Sequence, residues 1–191
     1  MPKSKHNRKD KRRNKGGPPA RRRLPKGVQL RSFTISDEID HNYQPGIPDE
    51  LAEATIMLRE GRIKEAKAAF ERIIEREPRA REAYLNLAVA YVHLGDEATA
   101  ETLMRQTLEK FPDYAMPRIN LARTYLHRRQ LKEAKEMLLP LDESRKFTSI
   151  EFQGYAATWS DILKAEGDSA AAESWKRMLY DVMLKNPAMF R

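Results

Sequence analysis

Apolar side chains between residues 47 and 187 recur at helical spacing, and the pattern itself repeats every 34 residues. Small residues return where two helices must approach closely, and large residues return where a void must be filled. The three clearest sets are Ala54, Ala88 and Ala122; Ala66, Ala100 and Ala134; and Phe70, Met104 and Leu138. A fixed period with these roles predicts stacked helical hairpins, and therefore an all-α fold.

The residues that interrupt the helical pattern keep the same period. Gly61 and Gly95 lie 34 residues apart, and so do Pro78 and Pro112. Glycine is typical of the turn that ends a helix, and proline is typical of the chain just beyond a helix end. We therefore expect bends at both glycines, with each hairpin ending before its proline.

The middle of the chain resembles the tetratricopeptide repeat, or TPR, family. Its stretch YLNLAVAYVHLGDEATAETLMRQTLEKFP meets the family pattern of aromatic, apolar, small and turn residues at Tyr84, Leu87, Ala88, Tyr91, Gly95, Ala100, Met104 and Pro112. The resemblance implies an α-solenoid of about three to four helix-turn-helix repeats. It also implies that the array winds as a right-handed superhelix, with a disordered N-terminal extension.

The period divides the body into units 47–80, 81–114 and 115–148, followed by a degenerate fourth unit with a C-terminal cap over 149–187. The third unit has Arg129 in place of the turn glycine and Lys146 in place of the closing proline. The fourth unit matches the second at a separation of 72 residues instead of 68, which leaves four extra residues. We expect them near DESRKFTSIEF, as a longer loop or an extra helical turn.

Charge separates the chain into two parts. Residues 1–32 hold thirteen Lys and Arg against one acid, whereas residues 33–191 hold 23 against 27. Residues 1–27 have few aliphatic side chains and a GGPP break, so we expect a basic, disordered tail. Residues 28–46 contain loosely spaced apolar positions, an acidic cluster and QPGIP, which predicts a linker that can dock on the body.

The first helix of each pair forms the inner, concave face of such arrays, and the resemblance implies that function lies there. The fifth, ninth and twelfth positions of each unit point inward, with an Asn beside two of them: Leu51, Thr55, Leu58, Leu85, Asn86, Val89, Val92, Ile119, Asn120, Arg123 and Leu126. These positions contain two apolar rows, which predict a groove for a partner helix or extended peptide. Asn86 and Asn120 are candidates for hydrogen bonds to the partner's backbone.

Two other interpretations of the inward positions stay open. The apolar side chains can pack on neighbouring helices, or a returning part of the same chain, VQLRSF or NPAMFR, can fill the groove. A family clamp for the C-terminal carboxylate of chaperones is disfavoured. Leu51, Thr55 and Met116 stand where that clamp needs polar or cationic groups.

The cations of the tail point to a polyanionic partner, because neutralising phosphates releases condensed counterions. The candidate contacts are Lys9, Lys11, Arg12, Arg13, Lys15, Arg21, Arg22 and Arg23. The tail has no aromatic residue for base stacking, so we expect contacts with phosphates of nucleic acid or a ribosome rather than base readout. A nuclear import signal, an anionic membrane surface, a transit peptide and a solubilising arm are the alternatives.

Catalysis, metals and cofactors have little support in the sequence. The chain has no cysteine, phosphate-binding glycine loop or nucleophile elbow. His93 and His127 lie 34 residues apart but lack obvious further ligands, so we interpret them as exposed histidines. Trp159 and Trp175 are expected to fill the terminal core rather than to stack on a ligand. We expect a protein without cofactor or metal, with no membrane span, in the cytoplasm, or in the nucleus if the source is eukaryotic.

These observations together predict a non-enzymatic adaptor. Its groove would bind a partner peptide or helix, and its tail would tether the complex to nucleic acid or a ribonucleoprotein. One alternative is a plain assembly scaffold whose tail is only a solubilising or nuclear-import arm. A further alternative is a regulatory subunit of an enzyme complex.

Overall fold

The computed structural model describes residues 33–36, 42–141 and 145–190. Within these residues the chain forms eight α-helices: α1 (Ile47–Arg59), α2 (Ile63–Arg76), α3 (Arg81–His93), α4 (Glu97–Lys110), α5 (Met116–His127), α6 (Leu131–Leu138), α7 (Ser149–Ala165) and α8 (Ser169–Lys185). Two short strands, β1 (Phe33–Ile35) and β2 (Arg145–Phe147), and 3-10 turns at Leu139–Leu141 and Pro187–Phe190 complete the regular structure. The predicted helical-repeat solenoid is confirmed.

Neighbouring helical hairpins pack through rows of small side chains. Equivalent positions of the four first helices hold buried alanines at Ala54, Ala88, Ala122 and Ala156. The second helices have a matching buried row at Ala66, Ala100, Ala134 and Ala172. A methyl group at these positions lets the helices approach until the larger neighbouring side chains fill the remaining space.

The four turns within the helical pairs have the same construction. In each turn a backbone N–H donates to the carbonyl five residues earlier, at 2.9 or 3.0 Å: Arg62 to Met57, Asp96 to Tyr91, Gln130 to Tyr125 and Asp168 to Leu163. This hydrogen bond closes the helix end and places the residue before the donor in the left-handed region. Glycine fills that place in three turns, and the predicted bends at Gly61 and Gly95 are confirmed.

The third turn carries Arg129 in the left-handed place, with φ of 59°. A residue with a Cβ atom is less stable there than glycine, by roughly 1–2 kcal/mol, because the Cβ crowds the following carbonyl oxygen. The backbone nevertheless closes in the same way as at the three glycines. The third unit therefore keeps the repeat geometry in spite of an unfavourable residue.

The four extra residues of the fourth unit lengthen α7. This helix begins at Ser149, 68 residues after α3 begins at Arg81. It ends at Ala165, 72 residues after α3 ends at His93. The insertion is therefore an extra helical turn, as one of the two alternatives predicted, but it lies in the last part of α7 and not near residues 142–152.

The second helix of the third unit ends early. Helix α6 has 8 residues, whereas α2 and α4 each have 14. Pro140 follows two residues after the end of α6, and proline cannot continue a helix because it lacks the N–H donor. The chain leaves through a 3-10 turn and reaches β2, which contains Lys146 in place of the closing proline.

Strands β1 and β2 form a parallel pair, which the all-α interpretation did not include. The register places Phe33 beside Arg145 and Ile35 beside Phe147. Phe33 also stacks on Phe152 of α7, with ring centroids 4.7 Å apart and 18° between the ring planes. Part of the segment interpreted as a linker therefore packs on the fourth unit.

The buried apolar side chains form two clusters, and the N-terminal segment contacts both. One cluster is centred on the first two hairpins and the other on the last two, with Leu103 of α4 packed against each. Phe33 and Ile35 pack on the second cluster. Tyr43 packs on the first, and its hydroxyl donates to Glu82 Oε2 at 2.6 Å. The N-terminal segment thus ties the two halves of the array together.

An aromatic group fills the terminal core, as the sequence analysis predicted. Trp159 and Trp175 stack with centroids 6.3 Å apart, and Tyr155 meets both rings edge-on. Both tryptophans are at most 2% exposed. Their indole N–H groups have no hydrogen-bond acceptor within the described residues. Their role is therefore packing, which makes them reporters of the fold of the last hairpin.

We expect Phe33→Ala to lower the free energy of unfolding by roughly 1–2 kcal/mol, because Phe152 loses its stacked ring and a gap opens beside it. Urea unfolding followed by tryptophan fluorescence would measure the change. Thr34→Ala alters the exposed neighbour in the same strand, and it should change the value by less than about 0.5 kcal/mol. Equal stability of the wild type and the Phe33 variant would contradict the packing of β1 on α7.

Candidate functional site

The residues predicted to line the inner face fall into a buried and an accessible group. Leu58, Leu85 and Ile119 are 9%, 6% and 0% exposed, so these side chains serve the packing between helices. The positions that are partly or fully exposed are Leu51, Thr55, Asn86, Val89, Val92, Asn120, Arg123 and Leu126. Two continuous apolar rows open to water are therefore not formed, and packing on neighbouring helices explains the three buried members.

Ile119 is covered because α7 approaches α5 closely. A Cβ atom added at Gly154 of α7 would lie 3.2 Å from Cγ2 of Ile119. Only a residue without a side chain leaves room for this approach. The close contact removes a large apolar side chain from the groove and makes it part of the core.

Thr55 and Asn86 connect neighbouring repeats. Asn86 Nδ2 donates to Thr55 Oγ1 at 3.2 Å, and Thr55 Oγ1 donates to the carbonyl of Leu51 at 2.7 Å. In the next repeat Val89 occupies the place equivalent to Thr55, beside Asn120. The amide of Asn120 makes no hydrogen bond within the part of the chain that the structure describes. Asn120 is therefore the better placed of the two to bind a partner's backbone.

The inner face continues onto α7, which the sequence analysis did not include. Extending the period of 34 residues gives the inward positions Ile150, Gln153 and Ala157, which are all exposed, Ile150 by 66%. The signal was present, because Ala156 keeps the register of Ala122. It was obscured because the insertion was placed before α7 instead of within it.

A cleft with a volume of about 870 Å³ opens at the ends of α3, α5 and α7. Three predicted inner-face residues line it, and so do charged residues that the sequence analysis did not select. The side chains that matter for recognition are Val92, Arg123, Leu126, Arg128, Arg129 and Asp161. The cleft therefore combines apolar and charged groups on one accessible surface.

One side of the cleft is held by a charge network between α4 and α5. Glu101 accepts hydrogen bonds from Tyr125 Oη and from Arg128 Nη1, each at 2.8 Å. Arg128 also donates to Glu97 at 3.0 Å, and Arg105 donates to Glu101 at 3.1 Å. The hydrogen bonds from Tyr125, Arg128 and Arg105 hold the pKa of Glu101 below its ordinary value of 4.5. The carboxylate is therefore ionised at neutral pH and neutralises the arginines beside it.

Two other arginines of the cleft are not neutralised in this way. Among the described residues, neither Arg123 nor Arg129 has a partner for its guanidinium group. Val92 and Leu126 line the same cleft, and Val92 is 43% exposed. The cleft thus offers two unpaired cations next to an apolar surface.

The cations predicted to contact a polyanion, from Lys9 to Arg23, lie outside the described residues. Among residues 33–36, 42–141 and 145–190, no helix has the length and apolar character required to cross a bilayer. The same ranges contain no group of three or more potential ligands from His, Cys, Asp and Glu that could hold a metal ion. His93 and His127 are both exposed, which agrees with their interpretation as ordinary surface residues.

Comparisons with known proteins agree with the geometry. Models of the tetratricopeptide repeat family match residues 51–115 and 95–154. Among solved structures, a tetratricopeptide repeat protein from Parabacteroides merdae ATCC 43184 is 14% identical, with a TM-score of 0.48, and the match covers 75% of this chain and 55% of that one. The MamA RS-1 ArsTM double mutant is 16% identical, also with a TM-score of 0.48, over 75% of this chain and 86% of that one. No curated protein matches the chain.

Stacked helical hairpins with an accessible inner face define a helical-repeat scaffold. The two family matches together cover more than half of the sequence, and the chain belongs to the tetratricopeptide repeat family. Repeats of this family serve protein–protein interaction and are typically non-catalytic. The chain spans about half the length of the Parabacteroides merdae protein.

We expect Glu101→Gln to lower the free energy of unfolding at pH 7 by roughly 1–2 kcal/mol, because Tyr125 and Arg128 lose their anionic acceptor. The pKa of Glu101 is lower in the folded than in the unfolded chain. Its stabilising effect is therefore complete above about pH 5 and is lost as the pH falls through the folded-state pKa.

Urea unfolding at a series of pH values would test this, with Glu109→Gln on the same helix as the control. The difference between wild type and the Glu101 variant should shrink as the pH falls from about 5 to 3, whereas the control should stay near zero throughout. A difference that does not depend on pH would show that the charge of Glu101 has no stabilising role.

Proposed function

We propose that this protein is an adaptor whose inner face binds a segment of a partner protein. The observation that carries the proposal is the accessible strip of Val89, Val92 and Leu126 beside the cleft. An apolar strip open to water next to a concave pocket is typical of a peptide-binding surface. The free amide of Asn120 supports the same conclusion, since a bound peptide must satisfy its own backbone groups.

The N-terminal segment supports an external partner. Phe33 stacks on Phe152, and Tyr43 bonds to Glu82. Neither Phe152 nor Glu82 is one of the predicted inner-face residues. The segment has therefore its own docking positions, which favours a partner over self-occupancy of the groove.

The partner half of the proposal predicts that Val92→Glu weakens partner binding by at least about tenfold, because the complex would bury an unpaired carboxylate. The measurement is capture of interacting proteins by the full-length wild type and variant, followed by a binding titration of the recovered partner. This position replaces the buried Leu85, whose substitution would damage the fold.

Leu139→Glu is the matched control, because Leu139 is 47% exposed, comparable to Val92, but lies after the second helix of the third unit. The control should keep the partner, and both variants should keep the helical circular dichroism of the wild type. A partner that binds the Val92 variant as tightly as the wild type would rule out the groove as its site.

We further propose that the basic tail tethers the adaptor to nucleic acid or a ribonucleoprotein. The basic excess of the chain lies in residues 1–32, and residues 33–191 carry more acids than bases. A flexible segment rich in Lys and Arg binds phosphates mainly through counterion release, with little sequence selectivity. The charge distribution thus favours two separate binding functions in one chain.

Deletion of residues 1–27 should abolish salt-sensitive binding to RNA and DNA while partner binding persists. If roughly six to ten phosphate contacts form, the wild-type affinity should fall about 10³ to 10⁵ fold between 50 and 200 mM salt. A full-length form with a scrambled tail of the same composition is the control and should keep the affinity. Nucleic-acid binding that survives the deletion would contradict this part of the proposal.

A further inference from the structure

The third turn is the one whose left-handed residue has a functional alternative to glycine. Gly61, Gly95 and Gly167 fill this place in the other turns, with φ between 80° and 87°. Arg129 adopts φ of 59° at the same place, although glycine would be more stable there. Strained residues of this kind concentrate at functional sites, where the side chain compensates for its conformation.

The side chain of Arg129 lines the cleft together with that of Arg123. Arg128, which lies between them in sequence, bonds to Glu97 and Glu101 and is already neutralised. Arg123 and Arg129 have no such partner within the described residues. The fold therefore leaves the charge of these two guanidinium groups available to a ligand.

We infer that the cleft binds an acidic segment of the partner protein, with its side-chain carboxylates on Arg123 and Arg129 and its apolar side chains on Val92 and Leu126. This inference rests on the proposed function and specifies the chemistry of the partner. The planar guanidinium group binds a carboxylate through two parallel N–H···O hydrogen bonds, which gives both charge pairing and orientation. The neighbouring apolar surface then favours acidic segments that also carry large apolar residues.

Charge complementarity distinguishes this occupant from the chain's own tail. Asp161 also lines the cleft, so its unpaired charges are two cations and one anion. The thirteen Lys and Arg of residues 1–32 would meet the two arginines with like charge. An acidic partner meets both of them with opposite charge, and Asp161 restricts where its carboxylates can lie.

Arg129→Gly provides a test in which stability and binding change in opposite directions. Glycine relieves the backbone, so the midpoint of thermal unfolding should rise by about 2–4 °C. Removal of the guanidinium group should weaken the binding of an acidic peptide by about tenfold. A weaker interaction in the more stable variant cannot be attributed to misfolding.

The probes are fluorescently labelled peptides of alternating Leu and Glu, and matched peptides with Gln in place of Glu. Because the tail itself attracts acidic peptides, all proteins are full-length forms in which the eight candidate tail cations are replaced by Gln. Arg123→Gln is the second cleft variant. Lys132→Gln is the control, because this cation on α6 is 87% exposed and does not line the cleft.

The inference predicts that the Glu peptides bind more tightly than the Gln peptides, and that both arginine variants but not the control remove this preference. Equal binding of both peptides by all variants, with loss only on Val92→Glu, would overturn the acidic site and leave the proposed groove intact. Absence of peptide binding, or binding that survives Val92→Glu, would overturn the site and the groove together.

Discussion

Close stacking of neighbouring hairpins is the constraint on which the rest of this structure depends. A single helical hairpin cannot bury its apolar stripe, so each repeat is stable only against the next. The buried alanines of the first helices, Ala54, Ala88, Ala122 and Ala156, make the approach close enough for larger side chains to fill the interface. The four turns repeat the same hydrogen bond because stacking tolerates only one angle between the helices of a pair, even where Arg129 replaces glycine.

Stacking also decides which residues remain for recognition. Leu85 and Ile119 occupy inward positions of the repeat but are buried between helices, Ile119 because Gly154 brings α7 so near. The accessible surface is consequently a narrow apolar strip that ends in a charged cleft. Glu101 neutralises the arginines on one side of this cleft, which concentrates the free positive charge on the inner side.

The N-terminal segment adds a second constraint on function. It enters the described structure at β1, beside the start of α7, and then contacts the first two hairpins before α1 begins. The cleft lies at the opposite end of α7, near Asp161 and Ala165. With a rise of 1.5 Å per residue, the two places are roughly 20 Å apart along the helix. A polyanion on the tail and a partner in the cleft can therefore be bound together without contact between them.

The sequence by itself determined the repeat, its period, the turn positions and the segregation of charge, because these depend on residue type and spacing along the chain. It identified the groove helices, but not which inward side chains are accessible. Burial of Leu85 and Ile119, the pairing of β1 with β2, and the meeting of Arg123 with Arg129 depend on contacts between distant parts of the chain. The extra turn of α7 was visible as four added residues, yet only the packing of Ala156 in register with Ala122 decided where it lies, because the core tolerates an insertion only beyond the stacked positions.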